Sequence, residues 1–170
     1  MTYHAPVDEM TATADLVGQG RLAGTARFAE ATAETRAAVL AEAARLAEEV
    51  LAPLDAAGDR EGARLENGVV RLPEGFPRAV RLLGEGGWAG IAADPAYGGM
   101  GLPQGFATMV QEMFASACLS LQIPPMMTAG QIEALEHHAP EWIRDLYLPR
   151  LAGGAWTATM NLTEPEAGSD

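Results

Sequence analysis

The sequence contains no lysine: all 11 of its basic residues are arginine, set against 23 acidic ones for a net charge of −12. Together with the abundance of alanine, this reads as a GC-rich coding bias rather than a functional choice. A surface this acidic repels phosphate backbones, which sets nucleic acid aside as an expected partner, and its plainer role is solvation. A single cysteine, Cys118, rules out an internal disulfide framework and fits a reducing compartment, so a cytoplasmic location is expected. No apolar run approaches the roughly 18–20 residues that a membrane-spanning helix needs. The opening residues, Met1 to Pro6, show no basic stretch followed by an apolar one, so no secretory leader is expected. Internal repeats and low-complexity tracts are also missing. What is present, 48% hydrophobic and 20% charged residues over 170 positions, suffices for a globular domain with a sizeable core.

The first thirty residues have no clear period, and Gly18, Gly20 and Gly24 interrupt them. They read as a loosely structured arm with one short helix around Pro6 to Val17, which must lie on something to be ordered. From Thr32 the pattern is helical. Thr32 suits an N-cap and Glu34 the first turn. Val39, Leu40, Ala43, Leu46, Ala47, Val50, Leu51 and Leu54 then recur at steps of three and four, opposite Glu42, Arg45, Glu48 and Glu49. Pro53 predicts a kink or stop near Leu51, and Gly58 the close of the segment. Asn67-Gly68 predicts a tight turn between two short extended pieces. Further helices are expected over about Pro77 to Glu85, Gln104 to Leu119, Met126 to His138 and Pro140 to Leu151. The glycine-rich stretch Trp88 to Pro103 reads as loop. In the third helix, Phe106, Val110, Phe114 and Ala117 form one stripe, with Met109 and Met113 beside it.

After Gly153-Gly154 the period changes to two: Trp156, Ala158, Met160 and Leu162 alternate with Thr157, Thr159 and Asn161. That is the pattern of a β-strand, and nothing earlier pairs with it convincingly. A lone strand cannot satisfy its own backbone, so its sheet is expected outside these 170 residues. The strand opens into Leu162-Thr163-Glu164-Pro165-Glu166-Ala167-Gly168-Ser169-Asp170. Pro165 suits the second position of a tight turn, and Gly168 permits positive φ and close approach of a ligand. Successive N–H groups of such a turn can hold an anion, and Thr163 and Ser169 add hydroxyls. These cues alone do not choose a ligand, because most turns of this composition only connect strands.

The run Thr163 to Asp170 resembles the T-E-P-x-A-G-S-D signature of the acyl-CoA dehydrogenase family. Three further blocks stand in the family's order. Gly86-Gly87-Trp88 through Asp94-Pro95 and Tyr97-Gly98-Gly99-Met100-Gly101-Leu102-Pro103 resembles its glycine-rich loop. Tyr147-Leu148-Pro149-Arg150-Leu151 resembles the helix end before the flavin strand. Ala47 to Leu54 with Gly58 to Gly62 resembles its first long helix and the turn after it. Tyr3-His4-Ala5-Pro6-Val7-Asp8-Glu9-Met10, with Leu65-Glu66-Asn67-Gly68, is similar to the subgroup that includes 3-methylmercaptopropionyl-CoA dehydrogenases.

The resemblance implies a mainly α fold: an arm over residues 1–31, the family's N-terminal helical domain over 32–154, and over 155–170 the first strand of a β-domain cut short here. It implies FAD as cofactor, an acyl-CoA substrate dehydrogenated at its α and β carbons, an electron-transfer flavoprotein as electron acceptor, and a homo-oligomeric whole. By position, Met160, Leu162, Thr163, Gly168 and Ser169 would contact the flavin, with Ser169 also serving its pyrophosphate or the thioester arm. Met160 replaces an aromatic found in some members, and Glu166 a glycine found in many. Glu166 would be unfavourable beside an anionic ligand unless it points to solvent. Met109 and Met113 could line an acyl cavity, their thioethers moulding to a chain, although ordinary core packing explains them as well.

No catalytic residue is expected in this stretch, because the family's glutamate base lies in its C-terminal bundle; the 170 residues alone should not turn over substrate. Glu112 and Glu133 read as solvated faces. His137-His138 diverge by about 100° on a helix and cannot easily share a metal ion. Cys118 reads as a small buried hydrophobe. Tyr97 to Gly101 lacks the spacing of a phosphate loop. A helical interaction module that kept the scaffold and lost the chemistry is the alternative, and an acyl-CoA oxidase would share this segment.

Overall fold

The computed structural model describes residues 3–168. Among them, seven α-helices and one two-stranded hairpin pack around a main core and a smaller second one. The helices are α1 (Val7–Leu16), α2 (Ala33–Leu46), α3 (Ala52–Glu61), α4 (Phe76–Glu85), α5 (Gln104–Ala117), α6 (Leu119–His138) and α7 (Glu141–Ala152). The strands are β1 (Arg64–Glu66) and β2 (Val69–Arg71). Thr32 caps α2 as expected, its hydroxyl accepting from the Thr35 N–H. Asn67 (φ 53°) and Gly68 (φ 78°) form the tight turn that pairs Leu65 with Val70, the left-handed conformation of both residues matching the strands' twist.

Of the kink or stop expected near Leu51, the structure shows a local deformation and not a stop. Pro53 does not stop the first long helix: a wide π turn at Ala47–Leu51 precedes it, closed by the Ala52 N–H on the Ala47 carbonyl, and α3 continues. The widened turn absorbs the amide that proline lacks and the clash of its ring. Gly58 accordingly lies inside α3, where any Cβ would run into the Phe76 ring, and the helix ends at Gly62 instead. The helix expected from about Met126 begins earlier, at Leu119, so that Pro124 and Pro125 sit in the second turn of α6. The break falls earlier, at the buried Cys118, whose extended backbone (φ −160°, ψ 95°) turns the chain between α5 and α6.

The main core centres on α5, which buries Phe106, Ala107, Met109, Val110, Met113, Phe114 and Ala117. Fully burying an aromatic or aliphatic side chain stabilises by about 1.5–3 kcal/mol, so this one helix anchors much of the domain. Trp88 meets Phe114 edge to face at 5.4 Å. Leu40, Leu46 and Leu51 close the core from α2 and the π turn.

The arm is better ordered than its sequence suggests. Met10 and Ala14 of α1 join the main core. The Tyr3 hydroxyl donates to the Met113 carbonyl and the Ala5 N–H to Glu48. Burial, and then the nearby carboxylates of Glu48 and Glu112, hold the Tyr3 phenol above the usual tyrosine pKa, keeping it a donor. Asp15 pairs with Arg36, whose side chain is only 6% exposed. A guanidinium this buried depends on its partner. Asp15→Asn is expected to destabilise the chain by about 1–3 kcal/mol in urea unfolding, since it removes the countercharge while keeping an acceptor; an unchanged midpoint would show that solvent balances Arg36.

The second core joins Ala93 and Ile132 to Leu148, Leu151 and Ala152 of α7. Glycine lets α7 end directly on its neighbours. A Cβ on Gly90 would stand 2.8 Å from the Ala152 carbonyl, and one on Gly154 (φ 69°) would strike the Gly84 backbone of α4. Gly154→Ala combines left-handed strain with a backbone collision and is expected to cost at least about 2 kcal/mol. Thermal unfolding measures it, and a melting temperature within a degree of the parent's would refute the close approach.

Candidate functional site

The end of α7 and the middle of α6 hold the segment that follows them. The Trp156 N–H donates to the Arg150 carbonyl at 3.0 Å. The Trp156 ring lies 4.7 Å under the Arg150 guanidinium and edge-on to Tyr147 at 5.7 Å. Arg150 itself is tethered to the Leu146 carbonyl. Two residues on, the Ala158 N–H donates to the Thr128 hydroxyl at 3.0 Å, and Ala158 packs on the second core. From residue 159 to 168 every residue is exposed.

That exposed run carries four of the expected cofactor contacts. Met160 is 56% and Leu162 49% exposed, an apolar pair presented to the outside. Thr163 follows, and the chain then closes a turn: the Glu164 N–H donates to the Gly168 carbonyl at 3.2 Å and the Ala167 N–H to the Glu164 carbonyl. Gly168 adopts φ 50°, the left-handed conformation that glycine permits most cheaply. Glu166 is exposed. Ser169 lies outside the described residues. Over Trp156 to Leu162 no ladder forms among the described residues, in keeping with the expectation that none of them pairs with this alternating segment; the single bridge, between Glu164 and Gly168, lies beyond it.

Met109 and Met113 are not brought to this segment's surface. They are 9% and 0% exposed in the main core, so α5 uses them as packing. A cavity of about 770 Å³ opens elsewhere, between the glycine-rich loop and α6, with Tyr97, Gly101, Met126, Gly130 and Glu133 among its walls. The loop's own backbone is spent internally. Met100 donates to Gly90, Gly101 to Ala93 and Leu102 to Ile91, so its amides are not free to cradle a phosphate. Glu112, Glu133, His137 and His138 are exposed, and no group of three or more metal-ligating side chains gathers among the described residues. No helix there is long and apolar enough to cross a membrane.

The sequence pattern did not single out Thr128 or Gln122. Both are buried, at 2% and 3% exposure, on α6. The only available signal was a polar residue on a helix face that otherwise turns inward, and the proline pair obscured that face.

The family model for the N-terminal domain of acyl-CoA dehydrogenases matches residues 32–155. The chain belongs to the acyl-CoA dehydrogenase family. Over 171 aligned residues it is 40% identical to a 3-methylmercaptopropionyl-CoA dehydrogenase of Ruegeria pomeroyi, covering all of this chain and 29% of that protein. It is 31% identical over 158 residues to a broad-specificity linear acyl-CoA dehydrogenase of Mycobacterium tuberculosis, covering 92% and 26% of the two chains. A butyryl-CoA dehydrogenase of Syntrophomonas wolfei is 30% identical over 129 residues, covering 74% and 21%. The chain thus spans less than a third of the length of these relatives. Its mainly helical architecture is that of the acyl-CoA dehydrogenase N-terminal domain.

Within this domain Gln122 stands out, since its Oε1 is buried without a hydrogen-bond partner. Leaving such an acceptor unmade costs about 1–3 kcal/mol, a penalty accepted more readily where a ligand or neighbouring element can supply a donor. Gln122→Leu is therefore expected to stabilise the isolated chain by about 1–2 kcal/mol in urea unfolding. A destabilised variant would show that the amide is satisfied after all.

Proposed function

We propose that the chain supplies one wall of the flavin site of an FAD-dependent acyl-CoA dehydrogenase that forms a double bond between the α and β carbons of an acyl-CoA thioester. In this reading the enzyme is cytoplasmic and homo-oligomeric, passing its electrons to an electron-transfer flavoprotein. The observation that carries it is the run from residue 159 to 168, held at its base by the helical layer and open along its length. Its residues fit the cofactor: exposed apolar Met160 and Leu162 suit the face or edge of a heteroaromatic ring, Thr163 offers a hydroxyl to a polar ring edge, and left-handed Gly168 lets a ligand approach the backbone. Bound there, FAD would supply the hydride acceptor.

The remaining work of these residues is positional. Leu162 excludes water from one side of the ring and Thr163 sets its orientation. Ser169 would hold the pyrophosphate or the thioester arm. Glu164 and Glu166 carry negative charge close by, and the exposure of both leaves them solvated rather than aimed at an anion. No residue of this chain is assigned as the proton-abstracting base. Met109 and Met113 would support the site from the core, through the packing of α5. The 40% identical relative favours a short or thioether-bearing acyl group as substrate.

Expressed with the family's remaining domains, the protein is expected to purify yellow and to bleach when an acyl-CoA is added. Thr163→Val is expected to weaken FAD binding about tenfold, the effect of one lost hydrogen bond. Residues 1–170 alone should show no sub-micromolar affinity for FAD by titration calorimetry, because one wall buries little of the ligand. A colourless protein, indifferent to added FAD, would refute the assignment.

A further inference from the structure

The Thr128 hydroxyl makes two contacts of different kinds. It donates to the Pro124 carbonyl one turn back at 2.8 Å and accepts the Ala158 N–H at 3.0 Å. The first contact uses its only proton, which fixes the direction of its lone pairs, and the second uses one of them. The proline pair bears on this geometry: Pro124 and Pro125 lack N–H groups, so this part of α6 carries fewer bonds of its own. Thr128 is 2% exposed, and its bond to Ala158 spans 30 residues of sequence.

Ala158 is the last residue before the exposed run. The amides held by the helical layer are those of Trp156 and Ala158, two residues apart, the spacing of one edge of an extended chain. The layer thus takes the place of a neighbouring strand along that edge and leaves the other edge to pair elsewhere. Register decides which side chains face which way, and a slip of one residue would exchange Met160 and Leu162 for Thr159 and Asn161.

We propose that Thr128 is a positioning residue for the flavin-contacting segment: its hydroxyl pins Ala158 and so sets the register in which Met160, Leu162 and Thr163 are presented. This rests on the flavin reading above and adds to it a residue on a different element, outside the signature turn.

Thr128→Val keeps the shape and removes the acceptor, while Thr128→Ser keeps the acceptor. In the 170-residue chain, amide hydrogen exchange at Ala158 is expected to be slow, to accelerate about tenfold in Thr128→Val and to stay within about twofold in Thr128→Ser. With the remaining domains present, Thr128→Val is expected to weaken FAD binding about tenfold and shift the flavin absorption bands, and Thr128→Ser to restore both. Exchange at Ala158 at the rate of a free peptide in the unmutated chain overturns the proposal, and this measurement stands even where the valine variant fails to fold. Normal FAD affinity and spectrum in a folded Thr128→Val protein overturn it too. An unmutated protein that binds no FAD overturns the flavin reading and the proposal together, whereas the other two outcomes leave that reading intact.

Discussion

The structure depends on α5 burying an apolar face broader than a single stripe. A helix with one apolar stripe needs one partner, but α5 turns Phe106, Met109, Val110, Met113, Phe114 and Ala117 inward over two adjoining stripes and must be covered from several sides. α2 with its π turn and α6 both pack against it, and Trp88 of the glycine-rich loop closes on Phe114. Even the arm is recruited, since the Tyr3 hydroxyl reaches a carbonyl of α5 and two residues of α1 enter the same core. The order of the arm is a consequence of that demand for cover.

Against this main core the functional segment is placed at second hand. It touches the smaller core of Ile132, Leu148, Leu151 and Ala152, and α7 reaches that position because glycines at 84, 90 and 154 allow backbone to meet backbone. Close approach without side chains between leaves little slack, so the end of α7 is a firm support for whatever leaves it. The helical domain then provides two hydrogen bonds, an aromatic contact and a cation over a ring, all within residues 156–158. Beyond them the chain is open. Rigid base and exposed tip suit a wall that another part of a protein completes.

The membership of the family bears on this arrangement in a limited way. The matched domain ends at residue 155, where the anchored segment begins, and the relatives are more than three times as long as the aligned stretch. The turn that carries the signature therefore lies at the junction between what this chain folds by itself and what it presents.

Local chemistry alone determined a good deal. The Thr32 cap, the Asn67-Gly68 turn and the helix ending at Glu85 all follow from interactions within a few residues, and each was legible. So was the signature at Thr163 to Gly168, because a turn's glycine and proline sit where its backbone angles require them. The prolines were only partly legible because their cost depends on surroundings: the π turn before Pro53 offsets a penalty that a local reading counts in full, and α6 runs through Pro124-Pro125 in its second turn. The alternation over Trp156 to Leu162 described a strand's side-chain pattern, but a ladder is a pairing between strands, and pairing is not a property of one segment. Tertiary structure alone decided that Met109 and Met113 are core, and that Thr128 and Gln122 are buried polar groups. Burial is set by what lies across the interface, and no spacing along a single helix contains it.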